Sequence, residues 1–231
     1  MPHSMPHLAR SILVVVAVLL PGGCQPSDTP EAAAVRTCFN DYLTAIGNKD
    51  GKAAVAIVDS RTVTYYDTIL DHALKSKSDV VRGLPILDKT MVLMLRSRVP
   101  ADELRKMDAR AVFIHTVDEG WVATDRTIFD IGQIDVNGDR AFGQHLMRGQ
   151  ETPYKCRFVK EDGKWKIDIT SLYSSGEAEF EKAIKESQMS EDDFLTRVLS
   201  MTAKKPVDAS IWEPVAAGDD KQAGDSNPDS E

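Results

Sequence analysis

Two dipeptides constrain this chain more than any other feature. Asn137-Gly138 and Asp162-Gly163 each sit between segments of alternating hydrophobicity, and both pairs favour the positive φ angles that a two-residue hairpin turn demands. They anchor a run from Thr127 to Tyr173 that reads as a four-strand antiparallel meander. Strand register follows from the turns. An Asn137-Gly138 turn sets Val136 opposite Asp139, Asp135 opposite Arg140, Asp130 opposite His145 and Phe129 opposite Leu146. An Asp162-Gly163 turn sets Lys160 opposite Trp165, Phe158 opposite Ile167, Arg157 opposite Asp168 and Cys156 opposite Ile169. Opposite charges and apolar side chains then meet across the strands, as stable cross-strand pairs do.

The middle turn, over residues 149–152, has no such signature, and a loop of two or four residues there preserves the faces. One face then collects Ile128, Ile134, Ala141, Met147, Tyr154, Cys156, Phe158, Trp165, Ile167 and Ile169, and is the core face. Phe129, Ile131, Phe142 and Leu146 fall on the other, with Arg157 and Asp168 as a surface pair of little energetic weight. Asp130 and His145 lie on the core face, directly opposite each other. A carboxylate beside an imidazole fixes its tautomer and raises the basicity of the far nitrogen, which suits a general base or a ligand anchor, with Tyr154 near enough to add a hydroxyl. The alternative is a buried pair that satisfies itself and does no chemistry.

Helical spacing governs the rest. Residues 31–48 place Val35, Cys38, Phe39, Tyr42, Leu43 and Ile46 on one stripe. A short helix at 52–58 leads to one carrying Val63, Tyr66, Leu70, Ala73 and Leu74, capped by Asp59 or Ser60. A helical insertion at 78–121 is punctuated by Gly83, Pro85, Pro100 and Gly120, and its Met91, Met94 and Leu95 stripe reads as core. His115 has no partner at metal-ligand spacing and reads as a satisfied structural histidine. Two more helices follow the meander at 176–188 and 190–203, Ser190 with Asp193 forming a capping-box variant, and Ile211 and Trp212 form a last apolar anchor. Helices, then strands, then helices predict an α+β fold in a single domain over residues 31–215.

The flanks differ in composition. Residues 1–23 carry Arg10, an apolar run from Ile12 to Leu20 and then Pro21-Gly22-Gly23, the pattern of an export signal. Small residues before Cys24 resemble the bacterial lipoprotein signal. That resemblance implies lipidation at Cys24 and attachment to a membrane on its extracytoplasmic side; an ordinary secreted protein is the alternative. Residues 24–30 are a polar tether, and residues 216–231 an acidic tail expected to be disordered. Net charge is −8, and −9 without the leader's Arg10, which excludes nucleic acid as a natural partner. Cys38 and Cys156 both fall on apolar faces, as a candidate disulfide in an exported protein or as two small buried hydrophobes. No cofactor or metal motif is present.

The opening Phe39-Asn40-Asp41-Tyr42 and the segment Phe158-Val159-Lys160-Glu161-Asp162-Gly163-Lys164-Trp165-Lys166-Ile167 resemble the nuclear transport factor 2-like superfamily, which includes SnoaL-like proteins. The resemblance implies a curved sheet wrapped on helices into a cone with an apolar pocket, and no single activity. Three functions stay open on the sequence. The first is a lipid-anchored domain binding a small apolar ligand or a protein partner without catalysis, with Asp130, His145 and Tyr154 as ligand-binding candidates. The second is an isomerase- or hydrolase-type enzyme with His145 as base and Asp130 as orienter. The third is a structural envelope lipoprotein.

Overall fold

A computed structural model describes residues 28–122, 128–203 and 206–215. The export signal, Cys24, most of the tether and the acidic tail lie outside the described residues. Among them the fold is α+β, with nine α-helices and one four-stranded antiparallel sheet.

Helix α1 (Pro30–Gly47) starts where Thr29 accepts a hydrogen bond from Ala32 N with Pro30 in the first turn, and it buries the stripe read from the sequence. After α2 (Gly51–Val55), Asp59 caps α3 (Ser60–Lys75) by accepting from Thr62 N at 2.9 Å. The insertion forms α4 (Ser78–Arg82), α5 (Ile86–Arg98), α6 (Ala101–Leu104) and α7 (Ala109–Asp118), broken at Pro85 and Pro100 as expected. It is no appendage. Val92, Leu93, Leu95, Leu104, Val112 and Phe113 are fully buried in the same core as the sheet. Strands β1 (Phe129–Asn137), β2 (Arg140–Met147), β3 (Gln150–Glu161) and β4 (Lys164–Asp168) pair in sequence order. A 3₁₀ turn at Ile169–Leu172 leads to α8 (Tyr173–Ser187), then to α9 (Glu191–Ala203), capped by Ser190. A second 3₁₀ turn, Ala209–Trp212, brings Ile211 and Trp212 back into the core, where Arg96 donates to both of their carbonyls as well as to His72, Ala73 and Ser76 at the end of α3.

The sheet follows the expected register in its last hairpin and departs from it in the first. Lys160 faces Trp165, Phe158 faces Ile167 and Arg157 faces Asp168, around an Asp162-Gly163 turn with φ of 50° and 74°. Pairing ends there, because Ile169 already opens the 3₁₀ turn. In the first hairpin the central residues are Gly138 and Asp139 instead, and Asn137 pairs with Arg140. Only Gly138 of the two has positive φ, the pattern of a II′ turn with glycine first. That slip is even, so faces survive it. A β-bulge then opposes Gly132 and Gln133 to Gln144 alone, which is odd and reverses the faces beyond it. Ile131, expected outside, is buried opposite His145, and Asp130, expected inside, is exposed opposite Leu146. The middle turn is the two-residue Arg148-Gly149, both at positive φ. A second, larger bulge sets Thr152, Pro153 and Tyr154 of β3 against His145.

Arg157 and Asp168 are not a surface pair. The Asp168 side chain has no solvent exposure and accepts from Arg157 Nε at 2.6 Å and again from Arg157 Nη2, from Thr170 N at 3.0 Å and from Thr170 Oγ1 at 2.5 Å. It is a buried charge held by a full set of donors, as an ion in low dielectric must be. Cys38 and Cys156 are free and buried, with no bridge between them. Burial raises both thiols to about 12, and Cys38 Sγ donates to the Trp165 carbonyl at 3.3 Å.

Candidate functional site

Between the inner face of the sheet and the helices lies a half-enclosed cavity of about 360 Å³. Helix α1 supplies Phe39, Tyr42, Leu43 and Ile46 to its wall, α3 supplies Tyr65 and Tyr66, and α5 supplies Leu87, Thr90, Met91 and Met94. Helix α8 closes one side with Tyr173, Gly176 and Phe180, spaced three and four residues apart on one stripe. Gly176 lets α8 approach α5 closely, since a Cβ there would come within 2.9 Å of Leu87 Cδ1 and push that side chain aside. From the sheet come Phe129, His145 and Ile167. No Asp, Glu, Lys or Arg lines the cavity among the described residues, and the size suits a small organic molecule.

The phenols are mostly spoken for. Tyr65 donates to Asp88 Oδ1 at 2.8 Å, and the Tyr66 hydroxyl meets those of Thr116 and Tyr173. Burial raises the pKa of Tyr65, Tyr66 and Tyr173 above the ordinary phenol value, with Asp88 adding to the effect at Tyr65, so all three stay protonated. Their rings pack edge to face, with Tyr65 at 4.8 Å from Tyr173 and 5.4 Å from Tyr66, which stiffens this wall.

His145 is the polar exception. It is 2% exposed, its ring lies 5.7 Å from that of Phe129, and its Nδ1 is 3.0 Å from Thr152 Oγ1. Burial lowers its pKa, so the imidazole is neutral at physiological pH. The two bulges explain its placement: β1 slips just after Ile131, opposite Gln144, and β3 slips at Thr152, opposite His145, so the two irregularities fall on neighbouring residues of β2.

Of the three ligand-binding candidates read from the sequence, Asp130, His145 and Tyr154, only His145 reaches the cavity. Asp130 lies on the opposite face, where its Oδ1 accepts from Ile131 N at 2.7 Å, so the expected dyad does not form. Tyr154 is half-buried outside the cavity; Thr152 takes the place beside His145. Met91 and Met94, read as core, are half-buried and line the cavity. His115 is not satisfied: its Nε2 is buried without a hydrogen-bond partner among the described residues, and its ring packs edge-on against Trp121 at 5.2 Å. The aromatic helical wall was visible as stripes, but stripes of this kind do not separate a cavity from a filled core. The bulges had one sequence signal each, Gly132 and Pro153, since either residue weakens regular strand pairing. Comparison of the chain with protein-family models, with curated proteins and with solved structures finds no match.

Proposed function

We propose that this domain is a binding module for one small apolar molecule and performs no chemistry on it. The observation that carries this is the cavity wall, which among the described residues is built mainly from aliphatic and aromatic side chains, with one neutral imidazole and no charged partner for it. Burying an apolar ligand there gains roughly 25 cal/mol for each Å² removed from water. Acid–base catalysis is poorly served, because burial makes the imidazole a weaker base than in water and no carboxylate or ammonium among the described residues lines the cavity. The cavity between meander and helices is also in keeping with kinship to the nuclear transport factor 2-like superfamily. The leader pattern ending at Cys24 supports placing the module at a membrane, anchored through a lipid on that cysteine.

The test is titration with N-phenyl-1-naphthylamine, a neutral dye that brightens when it leaves water. A saturable rise in emission is expected, lost in Met91→Trp, which fills the cavity while far-UV circular dichroism and the melting temperature confirm folding. No saturable binding by the wild type, or equal binding by the filled variant, overturns the reading.

A further inference from the structure

Resting on that binding reading, we infer that the cavity selects an uncharged ligand bearing a hydrogen-bond donor, an alcohol or phenol in preference to the matching ether, ketone or carboxylate. The argument is a count of protons around His145. Thr152 has one hydroxyl proton, and its Oγ1 donates to the His145 carbonyl oxygen at 3.2 Å while accepting from Tyr154 N at 3.3 Å. With that proton committed, the 3.0 Å contact between Thr152 Oγ1 and His145 Nδ1 is satisfied only if Nδ1 carries hydrogen and donates. A neutral imidazole has one N–H, so Nε2 is left as a bare acceptor. No described residue donates to it. His145 forms part of the cavity wall, so a ligand presenting O–H or N–H completes this site, whereas a carbonyl or ether oxygen would set acceptor against acceptor. A carboxylate fares worse, since no cation among the described residues lines the wall to offset its desolvation.

Two of the other wall hydroxyls are already committed. Tyr65 directs its proton to Asp88, and Thr90 Oγ1 donates to the Ile86 carbonyl at 2.7 Å. Gln144, whose side chain flanks the same bulge, donates its amide to the Thr152 and Tyr154 carbonyls and lies 3.3 Å from the His145 carbonyl oxygen, slightly farther than the Thr152 hydroxyl at 3.2 Å.

The experiment measures affinities of naphthalene, 2-naphthol, 2-methoxynaphthalene and 2-naphthoate by isothermal titration calorimetry at pH 7, on wild type, His145→Leu and Thr152→Val. The wild type is expected to bind 2-naphthol about fivefold more tightly than 2-methoxynaphthalene, the scale of one net hydrogen bond, and to bind 2-naphthoate least. In His145→Leu the naphthol preference disappears while naphthalene still binds. Thr152→Val lets the imidazole proton move to either nitrogen, so the preference shrinks with His145 still present. Equal affinity for naphthol and its methyl ether in the wild type, tighter binding of the carboxylate, or an unchanged preference in His145→Leu would overturn the inference. Absence of naphthalene binding would instead sink the binding reading beneath it.

Discussion

At the residue scale, the sheet's acids behave according to their donors and not their neighbours in sequence. Asp168 is wholly buried and fully supplied with donors, while Asp59, 1% exposed, uses Oδ1 to cap α3 and leaves Oδ2 without a partner among the described residues. Burial raises the Asp59 pKa, opposed by the Thr62 hydrogen bonds and reinforced by the nearby charges of Asp168 and Glu161. A carboxylate whose folded pKa is raised contributes most to stability when protonated, and that contribution fades as pH climbs through the raised value. Asp59→Asn keeps the cap and removes the buried charge. It is expected to stabilise the protein by on the order of 1 kcal/mol at pH 7, with the gain shrinking as pH falls towards the ordinary aspartate value of 3.8. Urea unfolding at pH 7 and pH 4 checks this, and a destabilised variant at pH 7 would contradict it.

At the element scale, the bulge in β1 decides the face of everything before it. Its exposed carbonyls are held by Arg36, whose Nη1 donates to Ile131 O at 2.5 Å and Nη2 to Gly132 O at 3.0 Å, while Asp28 grips the same guanidinium at 2.6 Å. Across the pair, Gly143 leaves room for Ile131, because a Cβ there would stand 2.0 Å from Ile131 Cδ1 and 2.5 Å from Cγ1. Gly143→Ala is therefore expected to cost about 1–3 kcal/mol through overpacking. Adding Ile131→Val, which removes the clashing Cδ1, should recover part of that loss. Denaturant melts of the two single variants and the double variant measure the coupling, and simple additivity would show that the two do not meet.

Turn chemistry made the meander legible, including the whole register of β3 against β4, because Asp162-Gly163 supports only one two-residue turn. Asn137-Gly138 did not have that force. The structure uses Gly138 and Asp139, and the bulge at Gly132-Gln133 then moves Asp130 away from His145. Alternation in sequence counts residues evenly, whereas a bulge spends one residue without advancing the pairing, so a face assignment fails beyond it.

At the scale of the whole molecule, helices from both ends of the chain and from the insertion meet the sheet around one cavity. Arg96 ties α5, the end of α3 and the carbonyls of Ile211 and Trp212 into one unit, and burial lowers its pKa to about 10. No described helix is long and apolar enough to cross a membrane; the attachment proposed above is lipidation at Cys24. Cys24→Ser is expected to move the protein from the detergent-rich to the aqueous phase on Triton X-114 partitioning of whole cells and to abolish incorporation of labelled palmitate. An unchanged distribution would refute lipid anchoring.

The sequence by itself determined the elements of this protein: amphipathic stripes, caps at Asp59 and Ser190, helix breaks at Pro85 and Pro100, and four strands in meander order. These depend on interactions a few residues apart, which spacing encodes. Only the tertiary structure decided that His145 stands without Asp130, that Asp168 is buried, and that stripes from α1, α3, α5 and α8 leave a cavity between them. Those outcomes depend on how bulges shift the register and how closely helices approach, and neither quantity is written in the periodicity of any one segment.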